Sequence, residues 1–375
     1  MGRIYGDLVG SMKKRSVLLL TGQFFSFAGS EVVIFELAME FLERGYSVDI
    51  AAPAIGSPLG YLATLKGINI INLDGMIDVQ SYDLVWAQHG LLASIKWGEL
   101  SHAQSRPFIV SSHLSPYAAL EGPLHPLEEK LADLIVFNSE ETRARFAHEF
   151  QTTRQRVFSN ACPHTFFRVR SHGNKLQKLT VISNHMPGEL DHALRHLSIN
   201  LGCDVRIIGY GHEQKLVSVD DLLQTDAVIT IGKSVQYALA SRTPPYVYDI
   251  HGGPGWLTAE NFEASAKNNF SGRPECRKLN SAEICEELIE GYSGAVDFMN
   301  SIDGKVIDRF RLNLFVDEIL GMSAEIDNIV LTDHELRICS SIYSLLKIVN
   351  EQRVSKFDGY CTQVVHKPAS DKYFN

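Results

Sequence analysis

The sequence predicts an α/β protein of two domains, each built on a parallel sheet, facing each other across a cleft and followed by a C-terminal helical segment. Three observations carry this. Short, continuously apolar runs recur with helix-length intervals between them, as expected of strands buried on both faces. The series stops at a basic stretch containing Pro163 and Gly173, then restarts near Leu179. A chain of 375 residues is also too long for one ordinary domain and suits two of about 150–200.

The predicted strands of the first domain are 17–21, 48–52, 68–73, 84–88, 108–112, 134–139 and 156–160. Between the first two, Val33/Ile34, Leu37/Ala38 and Phe41/Leu42 repeat at helical spacing, with Ser30 placed to cap the start and Gly45 to close the end. The second domain has predicted strands at 179–184, 204–209, 227–231 and 246–249. Near the end, Thr332-Asp333-His334-Glu335 has the form of a capping box, and Leu336, Ile338, Ile342, Leu345, Leu346 and Val349 continue as an apolar face. The expected units are 12–165, 166–325 and 326–375. Lys13-Lys14-Arg15 before an apolar run has the outline of a signal peptide, but the run breaks at Thr21-Gly22-Gln23, so it is assigned to the first strand, with Met12 as an alternative start.

Composition narrows the function. An apolar fraction of 45% and a charged fraction of 21% are those of a folded soluble protein. A net charge of −9 gives no support to nucleic acid as a partner. Six sparse cysteines without C-x-x-C spacing point to reduced thiols and a cytoplasmic setting. No run of 18 apolar residues is present.

The segment after strand 227–231 carries the most chemistry. Gly232-Lys233-Ser234-Val235-Gln236 opens a helix straight after a strand, so unpaired N–H groups and the helix dipole favour an anion there, and Lys233 adds positive charge. It is not a P-loop, which would need glycine at Ala227. Gln236 can bond ribose or sugar hydroxyls or simply pack at the helix start. His251-Gly252-Gly253-Pro254-Gly255 reads as a glycine turn at a strand end, either approaching a phosphate closely or only reversing the chain. Gly29 and Ser30, at the first helix start, are candidates for acceptor or phosphate contact. His192 and His196 have metal-ligand spacing, but no acid or cysteine completes a set. The chain has no Asp-x-Asp to hold a metal–diphosphate, so no metal is expected.

In order and spacing these elements resemble the GT-B glycosyltransferases, closest to the large retaining family 4, over roughly residues 14 to 300. The carrying residues are Ala28-Gly29-Ser30-Glu31 and the helix ending in Arg44-Gly45; the strand ending in Gln88-His89-Gly90; Ser111-Ser112-His113; Ala132-Asp133 through Asn138-Ser139; and Asn160-Ala161-Cys162. The resemblance implies two Rossmann-like domains and transfer of a sugar, with retention, from a nucleotide-sugar donor in the second domain to an acceptor in the first. It implies no cofactor beyond that donor. It makes His113 a catalytic candidate near the reacting carbon, beside Lys233 at the leaving diphosphate. Asn184, His185 and Gly209 at strand ends join Gly232, Lys233, Ser234, Gln236, His251, Gly252 and Gly253 as donor contacts. Two departures stand out. Gln236 occupies the place of the family's second Glu, the first falling near Val228, and residues 183–189 carry no Arg or Lys. Either Lys233 has taken over the phosphate charge or the nucleotide site is weakened. The implied acceptor is a surface glycan or glycolipid, which would place the protein in the cytoplasm or peripherally on the inner membrane face. The rival readings are a non-catalytic paralogue that binds glycan or supports a partner transferase, and a nucleotide-sugar epimerase of the same fold.

Overall fold

The computed structural model describes residues 14–100, 105–117, 121, 124–150, 154–323, 326 and 328–365; the alternative start at Met12 lies outside them. Lobe one holds β1 (Ser16–Leu20), β2 (Ser47–Ala52), β3 (Asn69–Asn72), β4 (Leu84–Gln88), β5 (Phe108–His113), β6 (Leu134–Phe137) and β7 (Arg154–Val157). They form one parallel sheet in the order β3-β2-β1-β4-β5-β6-β7. Helices α1 (Gly29–Glu43), α2 (Leu59–Leu65), α3 (Trp97–Leu100), α4 (His125–Leu131) and α5 (Glu140–Phe146) connect the strands. β1, most of β4 and the first half of β5 are apolar on both faces because helices cover both, and each face has its own core cluster.

Lobe two holds β8 (Lys178–Ile182), β9 (Asp204–Ile208), β10 (Ala227–Thr230), β11 (Pro245–Asp249) and β12 (Gly252–Trp256), in the order β12-β11-β10-β8-β9. Its helices are α6 (Gly188–Leu201), α7 (Val219–Leu223), α8 (Lys233–Ala240), α9 (Phe262–Lys267), α10 (Ser281–Glu290), α11 (Tyr292–Ser301) and α12 (Gly304–Asp308). All pairings are parallel except β11 with β12.

Three sequence expectations are corrected. The 251–255 glycine stretch is not a plain turn: Gly252–Trp256 is a fifth, antiparallel strand. Its glycines are demanded by packing, since a Cβ on Gly252 would stand 2.1 Å from the Arg277 carbonyl oxygen and one on Gly253 2.2 Å from that of Val247. Ser30 does not cap α1; Ala28 is the N-cap residue and makes no side-chain cap bond. The last strand of lobe one begins at Arg154, and the chain has already turned by Asn160, whose φ is +37°. Gly45 closes α1 as expected, at φ +83° with its N–H on Leu42.

After α12 the chain returns to lobe one. Cys162 and Arg311 form a parallel bridge in which the Cys162 N–H donates to Phe310 and the Leu312 N–H to Cys162. Helix α13 (Leu312–Met322) then buries Leu312, Phe315, Val316 and Ile319 against α1 and the sheet, with Phe315 stacked on Phe158 at 3.3 Å between centroids. Helix α14 (Asp333–Val365) covers the other face through Cys339 and Tyr343. Its start is the predicted capping box, with the Thr332 N–H and Glu335 N–H each bonded to the other's side chain.

Candidate functional site

In open parallel sheets a ligand crevice forms at the carboxyl ends of the strands where the winding reverses. In lobe one that point is between β1 and β4, flanked by the loops after Leu20 and Gln88; in lobe two it is between β8 and β10, flanked by the loops after Ile182 and Thr230. The two edges meet. Asn160, beyond β7, donates to Asn269 at 3.0 Å, and the backbone next to Asn269 receives the Gly232 N–H on the Phe270 carbonyl. Glu141, beyond β6, pairs with Arg273 at 2.6 Å, and Arg273 also lies over the Tyr117 ring.

The lobe-one loop after β1 is organised by Glu31. Its fully buried carboxylate accepts from Gln23 Nε2 (2.8 Å), Phe25 N–H (2.6 Å), Ser26 N–H (2.7 Å) and Ser26 Oγ (2.7 Å). This anion near a helix start meets the amides that a ligand would otherwise meet. Gly29 is exposed, and a Cβ built on it would touch nothing within 4 Å. Gly29 thus has open space, which packing does not claim, and Ser30 beside it is partly exposed.

The sequence places Lys233 at a helix start, and the structure shows what surrounds its amine. Nζ is 2.5 Å from Oε2 of Glu36 on α1 and donates to the Ala161 carbonyl at 2.8 Å. It also lies 5.2 Å from the centroid of the Tyr237 ring. Tyr237 donates its hydroxyl to Glu36 and stacks on Phe166 at 4.1 Å. Lys233 is 9% exposed and Glu36 6%. Burial pushes the Glu36 carboxyl above its ordinary value, with Lys233 opposing, and burial beside Glu36 drives the Tyr237 phenol well up. The lysine is therefore neither in bulk solvent nor unpartnered; it ties the two lobes. Gln236 is fully buried, its amide turned onto the carbonyls of Gly232 and Lys233.

The other donor candidates divide. Asn184 and His185 are exposed at the end of β8, and Asn184 Oδ1 accepts the Tyr210 N–H. Gly209 sits at φ +146°, where a Cβ would be 1.9 Å from the Ser183 carbonyl oxygen, so glycine is required to bring these two strand ends together. Gly232 caps α8 at φ +58°. Ser234 is partly exposed on the first turn, and the His251 N–H is held by Asp249 at 2.6 Å. Gly252 and Gly253 are buried under the 272–278 segment, away from open space.

His113 ends β5 with its ring turned to the α4 side, 1% exposed, stacked on Phe137 at 5.3 Å. Nε2 is 3.0 Å from Oε1 of Glu128, and Nδ1 is 3.7 Å from Oε2 of Glu121. Burial works against charge on His113, but Glu128 wins and raises its pKa; burial likewise opposes, and His113 with Ser111 reverses, giving a lowered Glu128. His89, at φ +54°, reaches Glu121 Oε1 at 3.2 Å and is the more exposed of the two histidines. Sequence reasoning missed Glu31, Glu36, Glu121 and Glu128. The available signal was an acid inside an apolar helical stripe, as in Phe35-Glu36-Leu37.

A hollow of about 440 Å³ lined by Arg170, Lys178, Arg206 and Asp221 lies at the opposite, amino-terminal edge of β8 and β9. Its arginines are spent on Asp226, Glu213 and Asp221.

No protein-family model and no curated protein sequence matches the chain. Among solved structures, one assigned as a UDP-N-acetylglucosamine 2-epimerase of Listeria monocytogenes is similar at 15% identity and TM-score 0.50, covering 84% of this chain and 98% of its own. The glycosyltransferase SnogD from Streptomyces nogalater aligns at 12% identity and TM-score 0.43, covering 83% and 100%. Acinetobacter baumannii MurG aligns at 9% and 0.42, covering 79% and 99%. At such identities the likeness is one of fold, and with the two reversing sheets joined at their carboxyl edges it places this chain: it has a GT-B glycosyltransferase-like fold.

Proposed function

We propose that the protein transfers a sugar from a nucleotide-sugar donor held by lobe two to a hydroxyl acceptor held by lobe one. The observation that supports this best is a winding reversal in each sheet, with the lobes joined beyond the carboxyl ends of β6, β7 and β10, and with Asn184, His185 and Ser234 at least partly exposed in one lobe and Gly29 and Ser30 in the other. In this reading the nucleotide lies over Asn184, His185 and Gly209, and its diphosphate meets the Gly232–Ser234 amides at the start of α8. Lys233 acts from behind by fixing that first turn to α1, and Gln236 by holding its backbone. His113 shapes the lobe-one wall from beneath. Transfer proceeds with retention, without a metal on the diphosphate. Lobe closure excludes the water that would hydrolyse the donor. A surface glycan or glycolipid acceptor, met at the inner membrane face, fits this reading; no described helix is long and apolar enough to cross a membrane.

A binding or scaffold role without transfer is the second reading. It is favoured by the internal neutralisation of Lys233 by Glu36 and of Arg273 by Glu141. A thermal-shift screen of nucleoside diphosphates and nucleotide sugars separates the two, because a ligand bound only by the native state raises the melting temperature with its concentration. Transfer requires a saturable shift with at least one nucleotide, lost in a His185→Ala, Ser234→Ala pair. A flat screen refutes it and leaves the scaffold. Conversion of a nucleotide sugar with no acceptor present would reassign the activity to epimerisation.

A further inference from the structure

We propose that His113, His125 and Glu128 form a binding site in lobe one for a first-row transition dication, zinc being the best match. Each residue offers one ligand atom, and the three atoms lie within 4.8 Å of one another. His113 Nε2 is 3.0 Å from Glu128 Oε1, and His125 Nε2 is 3.9 Å from Glu128 Oε2. Two ligands at zinc-bond length around a tetrahedral ion stand about 3.4 Å apart, so the two separations bracket the requirement. His125 and Glu128 are three residues apart on α4 and therefore share a face, opposite the end of β5 that carries His113.

The second observation is a surplus of buried, unpaired polar atoms. Nδ1 of His113, Nε2 of His125, Oε2 of Glu128 and Oε2 of Glu121 make no hydrogen bond, although their residues are 1%, 8%, 1% and 1% exposed. Buried polar atoms in folded proteins are nearly always satisfied, and four of those left over among the described residues gather at this one place. The third is charge. Glu128 is contacted by Ser111, His113 and His125, and Glu121 by Leu114 N–H, His89 and His113, so neither carboxylate meets a lysine or arginine in these contacts. Two buried carboxylates carry two negative charges, of which a protonated His113 offsets one, whereas a dication offsets both. Phe137, Phe146 and Phe150 close an apolar shell around the histidines. Glu121, behind Nδ1 of His113, stands where a carboxylate orients a metal-bound imidazole. Two imidazole donors select zinc and its neighbours over calcium or magnesium, which take oxygen. The ion would pin α4 to the end of β5 and stands apart from the proposed diphosphate site.

The test uses full-length protein stripped with a chelator, then titrated with zinc sulfate alone by calorimetry and with cobalt(II) by visible absorption. One zinc per chain and the intense visible bands of tetrahedral cobalt are expected. His125→Gln and Glu128→Gln should each weaken binding by more than about 100-fold, and Glu121→Gln by about 10-fold to 100-fold. His192→Gln and His196→Gln, exposed on α6, should leave it unchanged. Absence of stoichiometric binding overturns the proposal, as does binding that survives His125→Gln and disappears in the α6 variants. If the α4 variants do not fold, the wild-type cobalt spectrum decides: a spectrum without tetrahedral bands overturns the assignment.

Discussion

Replacing Lys233 by methionine keeps most of the side-chain volume but removes the cation from a buried pair. Glu36 then retains only the Tyr237 hydroxyl, in a position 6% exposed and already disfavouring charge. Removing one partner of a buried ion pair costs about 3–5 kcal/mol, because the surviving charge is left uncompensated. The Ala161 carbonyl loses its donor as well. For a unit of 150–250 residues each kcal/mol shifts the melting temperature by about 2–4 °C, so a fall of roughly 6–20 °C is expected. Differential scanning calorimetry should be used, since two lobes need not unfold in one step. Lys233→Met with Glu36→Gln removes both charges and should recover most of the loss, giving a coupling of about 2–3 kcal/mol in the double-mutant cycle. If Lys233→Met melts within about 2 °C of the wild type while abolishing nucleotide binding, the amine is a ligand group and does not tie the two lobes through Glu36.

Two further outcomes follow from the same geometry. Gly209→Ala and Gly253→Ala should each lower the melting temperature sharply, with or without ligand, because their Cβ atoms would meet carbonyl oxygens at 1.9 and 2.2 Å. Gly29→Ala should be neutral or stabilise by about 0.5–1 kcal/mol, since it fills open space in a helix; comparable melting of all three variants would refute the distinction. Burial opposes charge on Asp221, but Lys215, Ser218 and their hydrogen bonds hold its pKa below the ordinary value. Its contribution is therefore complete above the unfolded carboxyl pKa, near pH 4, and fades as pH falls through the lowered folded value. An Asp221→Asn variant should be less stable than the wild type at pH 7, with the gap narrowing below pH 4, as followed by circular dichroism melting; a gap that widens in acid would contradict the assignment.

Much of this was legible before any coordinates. Apolar runs marked eleven strand positions, most directly for the central strands, whose coverage on both faces leaves no polar alternation to confuse with loops. The capping box at Thr332 and Glu335 was equally direct, since it depends only on local bonding. What escaped depends on neighbours far along the chain. Gly252–Trp256 reads as a turn from composition, and only its antiparallel pairing with β11 makes it a strand. Leu312, Phe315, Val316 and Ile319 announce a helical stripe but not which lobe it covers. Lys233 is legible as the first residue of α8, yet its partner Glu36 lies far earlier in the chain on α1, with nothing local to identify it. The His125–Glu128 spacing was as visible as His192–His196, but the third member, His113, comes from another element.

The bridge between Cys162 and Arg311 has a consequence for architecture. The chain leaves and re-enters the first lobe at one place, where a single bridge pairs Cys162 with Arg311. Everything from 163 to 310 is thus inserted between two parts of the first lobe, whose core it touches through Leu216. A short splice across that bridge would leave the first lobe's two cores, including the contributions of α13 and α14, covalently whole. Any swing of the inserted module must pivot where the two crossings are held together by the Cys162–Phe310 and Leu312–Cys162 backbone hydrogen bonds.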